Sequence, residues 1–331
     1  MRILQIHNSY TLGGGEDTVL EQERLLLTLH GHQVEQFQMK NDTSDKIGSL
    51  KDAVLLKNNA RSVSLLNKIV TAFKPDICHV HNVFWKVTPG IFSFLQDRGI
   101  PMVMTIHNYR LLCTNGYFFR DGHICEDCLS GPRSQSLQHS CFDKSFLKTW
   151  FMQRAIEHHW KKQTWTHVID RYICLTSFAK EKHIEGGIPI DKISIKPNFI
   201  ADPKLPVACE DTFLFVGRFG KVKGADYVWA LAQQHPELKI DVIGEVETGY
   251  LKSTPNNLKF LGVFDHEETL EAMSRCRALL FPSLWFEGMP MTIIEAFCVS
   301  KPVIAMNQGA MSSMIDHQVN GLLCNNQNEF F

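Results

Sequence analysis

The chain has 331 residues, which is enough for two domains that each bury a hydrophobic core. Hydrophobic residues make up 44% and charged residues 21%, and these ordinary globular values exclude disordered, collagenous and coiled-coil chains. The 34 Lys and Arg nearly balance the 35 Asp and Glu, so the net charge of -1 gives no global field that would attract nucleic acid or an anionic membrane. Any cationic function must therefore come from a local patch.

No targeting or membrane-spanning segment is recognisable. The N-terminal apolar run is too short and wrongly flanked for a signal peptide, and no stretch of about 18 apolar residues follows it. We therefore expect a cytoplasmic protein whose ten cysteines are reduced. Most of these cysteines lie in apolar runs and are interpreted as small buried hydrophobic residues.

The first part of the chain alternates short β-branched runs with longer amphipathic ones, a pattern typical of βα units around a parallel sheet. It predicts strands over 2–6, 34–39, 76–80, 101–106, 171–175 and 192–196, and helices over 16–30, 62–73, 88–98, 145–164 and 177–185. A polar stretch interrupted by prolines, 197–211, then breaks the pattern and is the best linker candidate.

A glycine cluster, Gly13-Gly14-Gly15, follows the first predicted strand and precedes the first predicted helix. Free amides and the helix dipole would form an anion site there, and an ordinary glycine turn is the alternative. The cluster is not GxGxxG, and no acidic residue ends the second strand in a clear ribose-binding position. Both facts argue against a dinucleotide-dependent oxidoreductase.

Four cysteines lie in one insertion, 113–141, with the spacing C-x11-C-x2-C-x12-C: Cys113, Cys125, Cys128 and Cys141. A CxxC pair flanked by two more cysteines, in a loop with little apolar content, predicts a structural zinc site. Two disulfides or a redox pair, and thiols without a ligand, are the alternatives.

The segment 145–165 combines aromatic and basic residues. Five of its residues recur at helical spacing and predict a stripe packed in the core: Met152, Ala155, Ile156, His159 and Trp160. The remaining Lys, Arg and Trp side chains could rest on an anionic membrane surface. We expect no nucleic-acid binding, since the chain has no recognised motif and no net basic field.

After the linker the alternation restarts. It predicts strands over 212–216, 239–243, 258–261, 278–281 and 302–305, and helices over 223–234, over 266–275 and from about Pro290. We therefore predict two tandem Rossmann-like doubly wound parallel-sheet domains that face a central cleft, one at 1–197 and one at 198–331. Ligands bind at the carboxyl ends of the strands in such sheets, so the cleft is the expected site.

Two cations follow the first strand of the second domain. Arg218 and Lys223 flank a glycine-containing loop between this strand and a helix, where they would suit a diphosphate whose charge grows as it leaves. A pair of solvated loop cations is the alternative.

Two carboxylates mark the segment 284–297. Glu287 lies in the loop before a helix that begins near Pro290, whereas Glu295 lies inside that helix on an apolar background. A buried carboxylate is costly without a partner. Sugar hydroxyls are suitable partners, so Glu295 would suit a ribose and Glu287 a hexose. The alternative is a capping Glu287 and a salt-bridged Glu295.

The Glu287-x7-Glu295 pair, the loop with Arg218 and Lys223, the N-terminal glycines and the TIHN segment around His107 together resemble the family-four retaining glycosyltransferases of the GT-B fold. The resemblance covers nearly the whole chain. It implies transfer of a sugar from a nucleotide-diphosphate sugar to an acceptor hydroxyl with retention of configuration, in the synthesis of a surface polysaccharide or glycolipid.

The resemblance also implies a role for each site residue. Arg218 and Lys223 would hold the diphosphate, Glu295 the ribose and Glu287 the donor sugar, while His107 would face the reacting sugar. The other donor-binding residues implied are Gly14, Gly15, Gly217, Gly288, Met289, Pro290 and Met291. In a front-face mechanism the leaving phosphate oxygen takes the acceptor's proton, so stabilisation of the diphosphate is the main catalytic effect.

No cofactor is expected for catalysis, because the sequence contains no Asp-x-Asp pair to hold a divalent ion. Members of the family usually continue into helices that cross back onto the first domain, whereas this chain ends at NNQNEFF. The chain is then either naturally short or truncated. A catalytically silent nucleotide-sugar-binding subunit of an assembly complex is the alternative function.

Overall fold

The computed structural model describes residues 1–9, 14–41 and 53–331. The chain divides into two compact units. The first contains residues 1–118 and 125–197, and the second contains residues 119–124 and 198–331. Each unit is built on one six-stranded sheet in which every strand pair is parallel. The predicted fold class of two tandem doubly wound parallel-sheet domains is confirmed.

The sheet of the first unit contains β1 (Arg2–Ser9), β2 (Gln33–Lys40), β3 (Ile77–Val80), β4 (Met102–Ile106), β7 (Arg171–Cys174) and β8 (Ile193–Ile195). Their order across the sheet is β2-β1-β3-β4-β7-β8. Six consecutive residues of β1 are buried, as expected for a central parallel strand covered by helices on both faces. The strand order reverses between β1 and β3, and ligands bind at such a point in doubly wound sheets.

The main helices of the first unit are α1 (Gly15–Leu29), α2 (Ala60–Phe73), α3 (Gly90–Asp97), α6 (Phe146–Lys161) and α7 (Ser177–Glu185). Between β4 and α6 the chain forms a small antiparallel pair, β5 (Phe119–Arg120) and β6 (His123–Ile124), and two single-turn helices, α4 (Asp127–Ser130) and α5 (Gln135–Gln138). The β5–β6 pair is grouped with the second unit.

The sheet of the second unit contains β9 (Thr212–Val216), β10 (Lys239–Ile243), β11 (Leu258–Gly262), β12 (Ala278–Phe281), β13 (Val303–Met306) and β14 (Gly321–Cys324). Its order, β11-β10-β9-β12-β13-β14, is the 3-2-1-4-5-6 order of a dinucleotide-binding fold and reverses between β9 and β12. The helices are α8 (Ala225–Gln234), α9 (His266–Arg275), α10 (Met291–Cys298) and α11 (Gln327–Phe330).

Throughout the described ranges, no helix combines the length and the apolar character that crossing a membrane requires.

Candidate active site

The loop after β9 is shaped by glycines that no other residue could replace without strain. Gly217 ends the strand at φ +130, and Gly224 lies at φ +77 immediately before α8. A Cβ on Gly224 would overlap the carbonyl oxygen of Pro282, which follows β12. Phe219, fully buried, anchors the middle of the loop in the core of the unit. The loop is therefore held tightly against the chain that leaves β12, at the point where the strand order reverses.

This packing brings two of the predicted residues together. Lys223 Nζ lies 2.6 Å from Glu287 Oε1, and Ser283 Oγ donates a hydrogen bond of 2.8 Å to the same oxygen. The ammonium group also lies 4.9 Å from the centre of the Trp285 ring, a favourable cation–π position. Arg218 is exposed, and no ion pair is found for it among the described residues. A fixed cation and a flexible one thus lie in the same loop.

The second carboxylate lies on α10. Pro290 is the N-cap of this helix and Met291 is its first residue, which agrees with the predicted start near Pro290. Glu295 is buried, and the Nδ1 of His266 lies 3.6 Å from Glu295 Oε1. Burial raises the pKa of Glu295, and the His266 charge offsets only part of this effect. The carboxylate is therefore under-compensated, as expected for a group that binds a ligand.

The backbone before α10 is also fixed. Asn198, a buried residue at the start of the second unit, donates from Nδ2 to the carbonyl oxygen of Met289 at 3.3 Å, and its own amide lies 3.2 Å from the Met289 sulfur. Gly288, Met289 and Pro290 are partly exposed. The predicted donor-binding backbone is thus held in place and accessible.

In the first unit, the residues that follow β1 begin α1. Gly14 is the N-cap, and its amide donates to Asp17 Oδ2 at 3.0 Å in a capping box. Gly15, exposed, is the first helical residue, and Gly13 lies outside the described residues. The expectation that the Gly14 amide is free for an anion is therefore not met here, because a side chain of its own helix occupies it.

The strand order of this unit reverses beside a cluster of histidines, in which His7 and His81 are buried and His79 and His107 are partly exposed. His81 follows β3 and His107 follows β4, and the His81 Nδ1 to His107 Nε2 distance is 3.0 Å. Burial lowers the pKa of His107 well below its ordinary value, and the neighbouring His81 and His7 lower it further. The predicted site histidine is therefore neutral, and it can donate and accept hydrogen bonds without bringing a charge.

Glu23 on α1 is the central anion of this cluster. Its Oε2 lies 3.3 Å from both His79 Nδ1 and His81 Nε2, and Lys196 Nζ lies 2.5 Å from its Oε1. Burial opposes ionisation of Glu23, but hydrogen bonds and nearby positive charge outweigh burial and lower its pKa. The Glu23, His79 and His81 ligand atoms lie within 4.8 Å of one another, a spacing that a metal ion could bridge. Lys196 already supplies positive charge at this position.

A second carboxylate, Glu16, lies close to the N-terminus of the same helix. Asn108 Nδ2 donates to Glu16 Oε1 at 3.2 Å. Burial raises the pKa of Glu16, while His7, Asn108 and Arg110 counteract the increase. The ends of β1 and β4 therefore carry polar side chains that are neutral or weakly compensated, suited to binding hydroxyl groups.

The four cysteines of the insertion are thiols rather than disulfides. Burial raises the pKa of Cys128 to about 12, and Cys113, Cys141 and Cys125 raise it further. Within the described ranges, the one group of three or more metal-ligating side chains whose ligand atoms lie within 4.8 Å of one another is Glu23 with His79 and His81, so the four sulfur atoms do not form such a group. Between 119 and 140 the one buried residue is Ser136. The segment thus lacks an apolar core of its own.

Sequence reasoning missed several residues of these sites. Glu23 and Lys196 are separated by 173 positions, and no local pattern connects them. Ser283, Asn198 and His266 gave no signal because each belongs to an ordinary loop or helix start. The pair His79 and His81 did give one, since strand alternation predicts that both side chains point to one face, and both contact Glu23.

Family models match both parts of the chain. Residues 12–202 match the model described as Glycosyltransferase Family 4, and residues 201–329 match the model described as Glycosyl transferases group 1. A 42.6 kDa uncharacterised protein in the cps region of Klebsiella pneumoniae is 22% identical over 266 residues, which are 77% of this chain and 64% of that protein. The chain spans about a third to two thirds of the length of the curated relatives it matches.

Solved structures show the same fold. The lipopolysaccharide outer core galactosyltransferase WaaB, in its apo form, is 18% identical with a TM-score of 0.65, covering 100% of this chain and 88% of that chain. HepE of Anabaena in complex with UDP-glucose is 17% identical with a TM-score of 0.63, covering 98% of this chain and 85% of that chain. The fold is that of the GT-B glycosyltransferases.

Proposed function

Because the chain belongs to Glycosyltransferase Family 4, we propose that it transfers a sugar from a nucleotide-diphosphate sugar to an acceptor hydroxyl with retention of configuration. The observation that carries this proposal is the contact between Lys223 and Glu287. It joins a cation suited to a diphosphate with a carboxylate suited to sugar hydroxyls, at the ends of β9 and β12 where the strand order reverses. The complex of HepE with UDP-glucose supports a donor of this class.

The donor-binding roles are assigned to the second unit. Lys223 and the exposed Arg218 bind the diphosphate, Glu287 accepts hydrogen bonds from the donor sugar, and Glu295 binds the ribose. The partly exposed backbone before α10 approaches the sugar and phosphate. The remaining donor-binding residues proposed in this unit are Gly217, Gly288, Met289, Pro290 and Met291. Gly14 and Gly15 of the first unit are also proposed to bind the donor, and for the Gly14 amide this requires that the ligand replace Asp17 Oδ2 as its acceptor.

The proposed reaction needs no catalytic metal. The bond between the anomeric carbon and the phosphate oxygen breaks, and a bond from the acceptor oxygen forms on the same face of the sugar. The acceptor's proton goes to the departing phosphate oxygen. Lys223 and Arg218 stabilise the charge that grows on the diphosphate, and such preorganised stabilisation commonly supplies the largest part of a rate enhancement.

His107 is proposed to hydrogen-bond the reacting sugar as a neutral imidazole. Its lowered pKa supports this role, because a charged imidazolium would repel the positive charge that develops at the anomeric carbon. The contact with His81 Nδ1 fixes the orientation of the ring. Glu23 holds His81 in turn, and therefore acts as a positioning residue.

Cys113, Cys125, Cys128 and Cys141 are proposed to bind a structural zinc ion. The spacing of the four cysteines in the sequence and the absence of an apolar core between 119 and 140 support this proposal. Zinc would supply the cross-link that this segment lacks. The insertion is proposed to shape acceptor access, because it follows His107 in the chain.

We also propose that the protein works in the cytoplasm at the inner face of a membrane, where residues 145–165 contact the lipid and the acceptor is a carbohydrate or lipid-linked molecule. The Klebsiella relative, located in a cps region, and the lipopolysaccharide enzyme WaaB make a surface polysaccharide or glycolipid pathway the best-supported setting.

Thermal shift with nucleotides tests the donor site. A ligand that binds only the native state stabilises it by mass action. We expect one of UDP, GDP, ADP, dTDP and CMP to raise the melting temperature of the protein. The shift should be lost in Arg218→Ala. It should persist in the control variant Lys221→Ala, which changes an exposed cation of the same loop. If none of the five nucleotides raises the melting temperature, the proposal is contradicted. Binding without sugar transfer would favour a binding subunit.

A further inference from the structure

A cavity lies within the first unit, and none of the clustered histidines His7, His79, His81 and His107 lines it. Its volume is about 470 Å³, and it is formed by the α4–α5 segment and by the last two turns of α6. Six lining residues carry or can carry charge: Lys57, Arg133, Arg154, Glu157, His158 and Lys161. Four cations thus face one carboxylate, so the cavity is strongly positive in a chain whose net charge is only -1.

Arg133 is fixed in the wall of this cavity. Its guanidinium lies 4.1 Å from the centre of the Trp160 ring, and its Nη2 donates to the Gly186 carbonyl oxygen at 3.1 Å. Its Nε is buried, and within the described residues no hydrogen-bond acceptor is found for it. This Nε is therefore not the donor that a ligand in the cavity would meet. The guanidinium as a whole lines the cavity and is held in place by Trp160 and Gly186, and a guanidinium fixed in this way is suited to a phosphate group.

The electrostatic field in the cavity is positive enough to affect its histidine. Burial lowers the pKa of His158, and the charges of Lys162 and Lys57 lower it further. Glu157 lies 3.7 Å from Lys161 Nζ, but the Lys161 side chain is largely exposed, so this pair neutralises little of the field. An anion in the cavity would therefore relieve repulsion among side chains that the fold has already brought together.

The exposed face of α6 extends from this cavity to the N-terminus of the helix, where its side chains are apolar. Leu147, Trp150, Arg154, His158 and Lys161 follow one another at intervals of three or four residues, so they form one stripe along the helix. The stripe begins at two exposed apolar side chains, Phe146 and Leu147, which are 59% and 51% exposed. The opposite face packs in the core, where Met152, Ala155 and Ile156 are buried.

We propose that this cavity binds the phosphate headgroup of a membrane lipid, with Phe146 and Leu147 entering the apolar layer beside it. The proposal rests on the membrane contact proposed above for residues 145–165 and adds a headgroup site to it. Charge complementarity selects a phosphate, and the apolar end of the same stripe selects a lipid over a free anion. The cavity shares no residue with the proposed donor site.

Co-sedimentation with vesicles tests the proposal. The probes are vesicles of phosphatidylcholine, with and without phosphatidylglycerol, and inorganic pyrophosphate as a soluble competitor. We expect binding to the anionic vesicles, and a roughly 30-fold weaker affinity in the double variant Arg154→Gln, Lys161→Gln, since each cation at a membrane surface contributes about a factor of five. Phe146→Ser with Leu147→Ser is expected to weaken the binding without changing its dependence on phosphatidylglycerol.

A matched control removes the same charge elsewhere. Lys68 and Lys74 are exposed cations of α2 and of its C-cap, outside the cavity, and Lys68→Gln with Lys74→Gln should leave vesicle binding within twofold of the unmodified protein. An equal loss of vesicle binding in both double variants would show that binding depends only on diffuse surface charge, and it would overturn the proposed headgroup site.

Two other outcomes would also overturn the proposal. Binding of pyrophosphate without vesicle binding would show a site for a free anion. No binding of either probe would remove both the headgroup site and the membrane contact, while an intact nucleotide shift in the same preparation would show that the donor site is unaffected.

Discussion

Lys223 is an ion-paired and partly buried side chain rather than a solvated loop cation. Its ammonium group pairs with Glu287 and lies over the Trp285 ring, although a lysine in this loop could also extend into solvent. Holding a long side chain in one place costs conformational entropy. A loop that fixes this cation at the strand reversal is therefore better explained by a ligand than by surface charge alone.

We expect Lys223→Ala to lower kcat for sugar transfer by roughly 10²- to 10³-fold, because removing one preorganised group that stabilises developing negative charge typically has this effect. Steady-state kinetics with the donor identified by thermal shift measures it. Lys221→Ala, an exposed lysine of the same turn, is the control and should stay within about twofold. Similar losses in both variants would mean that the loop cations act only through general charge.

Glu23→Gln should destabilise the first unit at neutral pH by about 1.5–3 kcal/mol, because it removes a buried carboxylate that pairs with the partly exposed Lys196 and contacts His79 and His81. Glu21→Gln, at a more exposed position of the same helix, should cost no more than about 1 kcal/mol. Urea unfolding measures both free energies.

The same variant gives a pH test. The pKa of Glu23 is lower in the folded protein than its ordinary value of 4.5. The unfolded state therefore binds more protons as the pH falls below about 4.5, and the stability that the carboxylate provides is lost there. We expect the loss of stability on acidification to be smaller in Glu23→Gln. An unchanged pH dependence would show that Glu23 is not the responsible group.

At the scale of the element, the buried carboxyl of Glu295 on α10 lowers the stability of the folded protein. The raised pKa of this buried carboxyl means that the folded state holds a proton that the unfolded state releases, so stability falls as the pH rises from about 4.5 through the raised pKa. Glu295→Gln should therefore raise the melting temperature at neutral pH without nucleotide.

The same substitution should weaken nucleotide binding by roughly 10- to 100-fold, the effect of losing hydrogen bonds to a charged group. Thermal shift and calorimetric titration separate the two effects. Glu271→Gln, an exposed carboxylate on α9, is the control. A variant that is more stable yet binds the nucleotide normally would contradict the ribose-binding role.

Helices and strands were predictable from the sequence where hydrophobic periodicity extends over several residues. The predicted strands over 212–216, 239–243 and 278–281 and the helices over 177–185 and 266–275 have the observed bounds. Errors occur where a local backbone feature ends an element. The helix predicted from 223 begins at Ala225, because Lys221–Lys223 forms a 3-10 turn and Gly224 has a positive φ.

Short elements without periodicity were missed. β5 and β6 have two residues each, α4 and α5 one turn each, and β14 follows a loop after the last predicted strand. The same limit applies to the site. Lys223 and Glu287 were both assigned to the donor site by the family resemblance, although their direct contact was not predicted. The Glu23 contacts depend on packing of α1 across the sheet, which no local pattern reveals.

At the scale of the whole molecule, the four-cysteine insertion contains a stretch, 119–140, in which the one buried residue is Ser136. We expect the purified protein to contain about one zinc ion per chain, and its removal by a chelator to lower the melting temperature by roughly 4–8 °C if the ion contributes about 2 kcal/mol. Mass spectrometry of metal content and thermal unfolding measure the two effects.

Cys128→Ser should reduce the bound zinc, whereas Cys209→Ser, at an exposed cysteine of the second unit, should not. Protein produced with ample zinc that nevertheless contains none would contradict the metal site. If the affinity for the acceptor is unchanged after zinc removal, the proposed role of the insertion in acceptor access is contradicted.

The pairing of Glu23 with Lys196 also determines when the first unit can fold during synthesis. The carboxylate is made early, but the lysine that neutralises it follows β8 and leaves the ribosome 173 residues later. Until then, packing α1 on the sheet would bury an incompletely compensated charge. The nascent chain is therefore expected to hold its N-terminal half in a loosely packed state and to consolidate it only when the last strand of the unit has emerged, a late and cooperative step of vectorial folding.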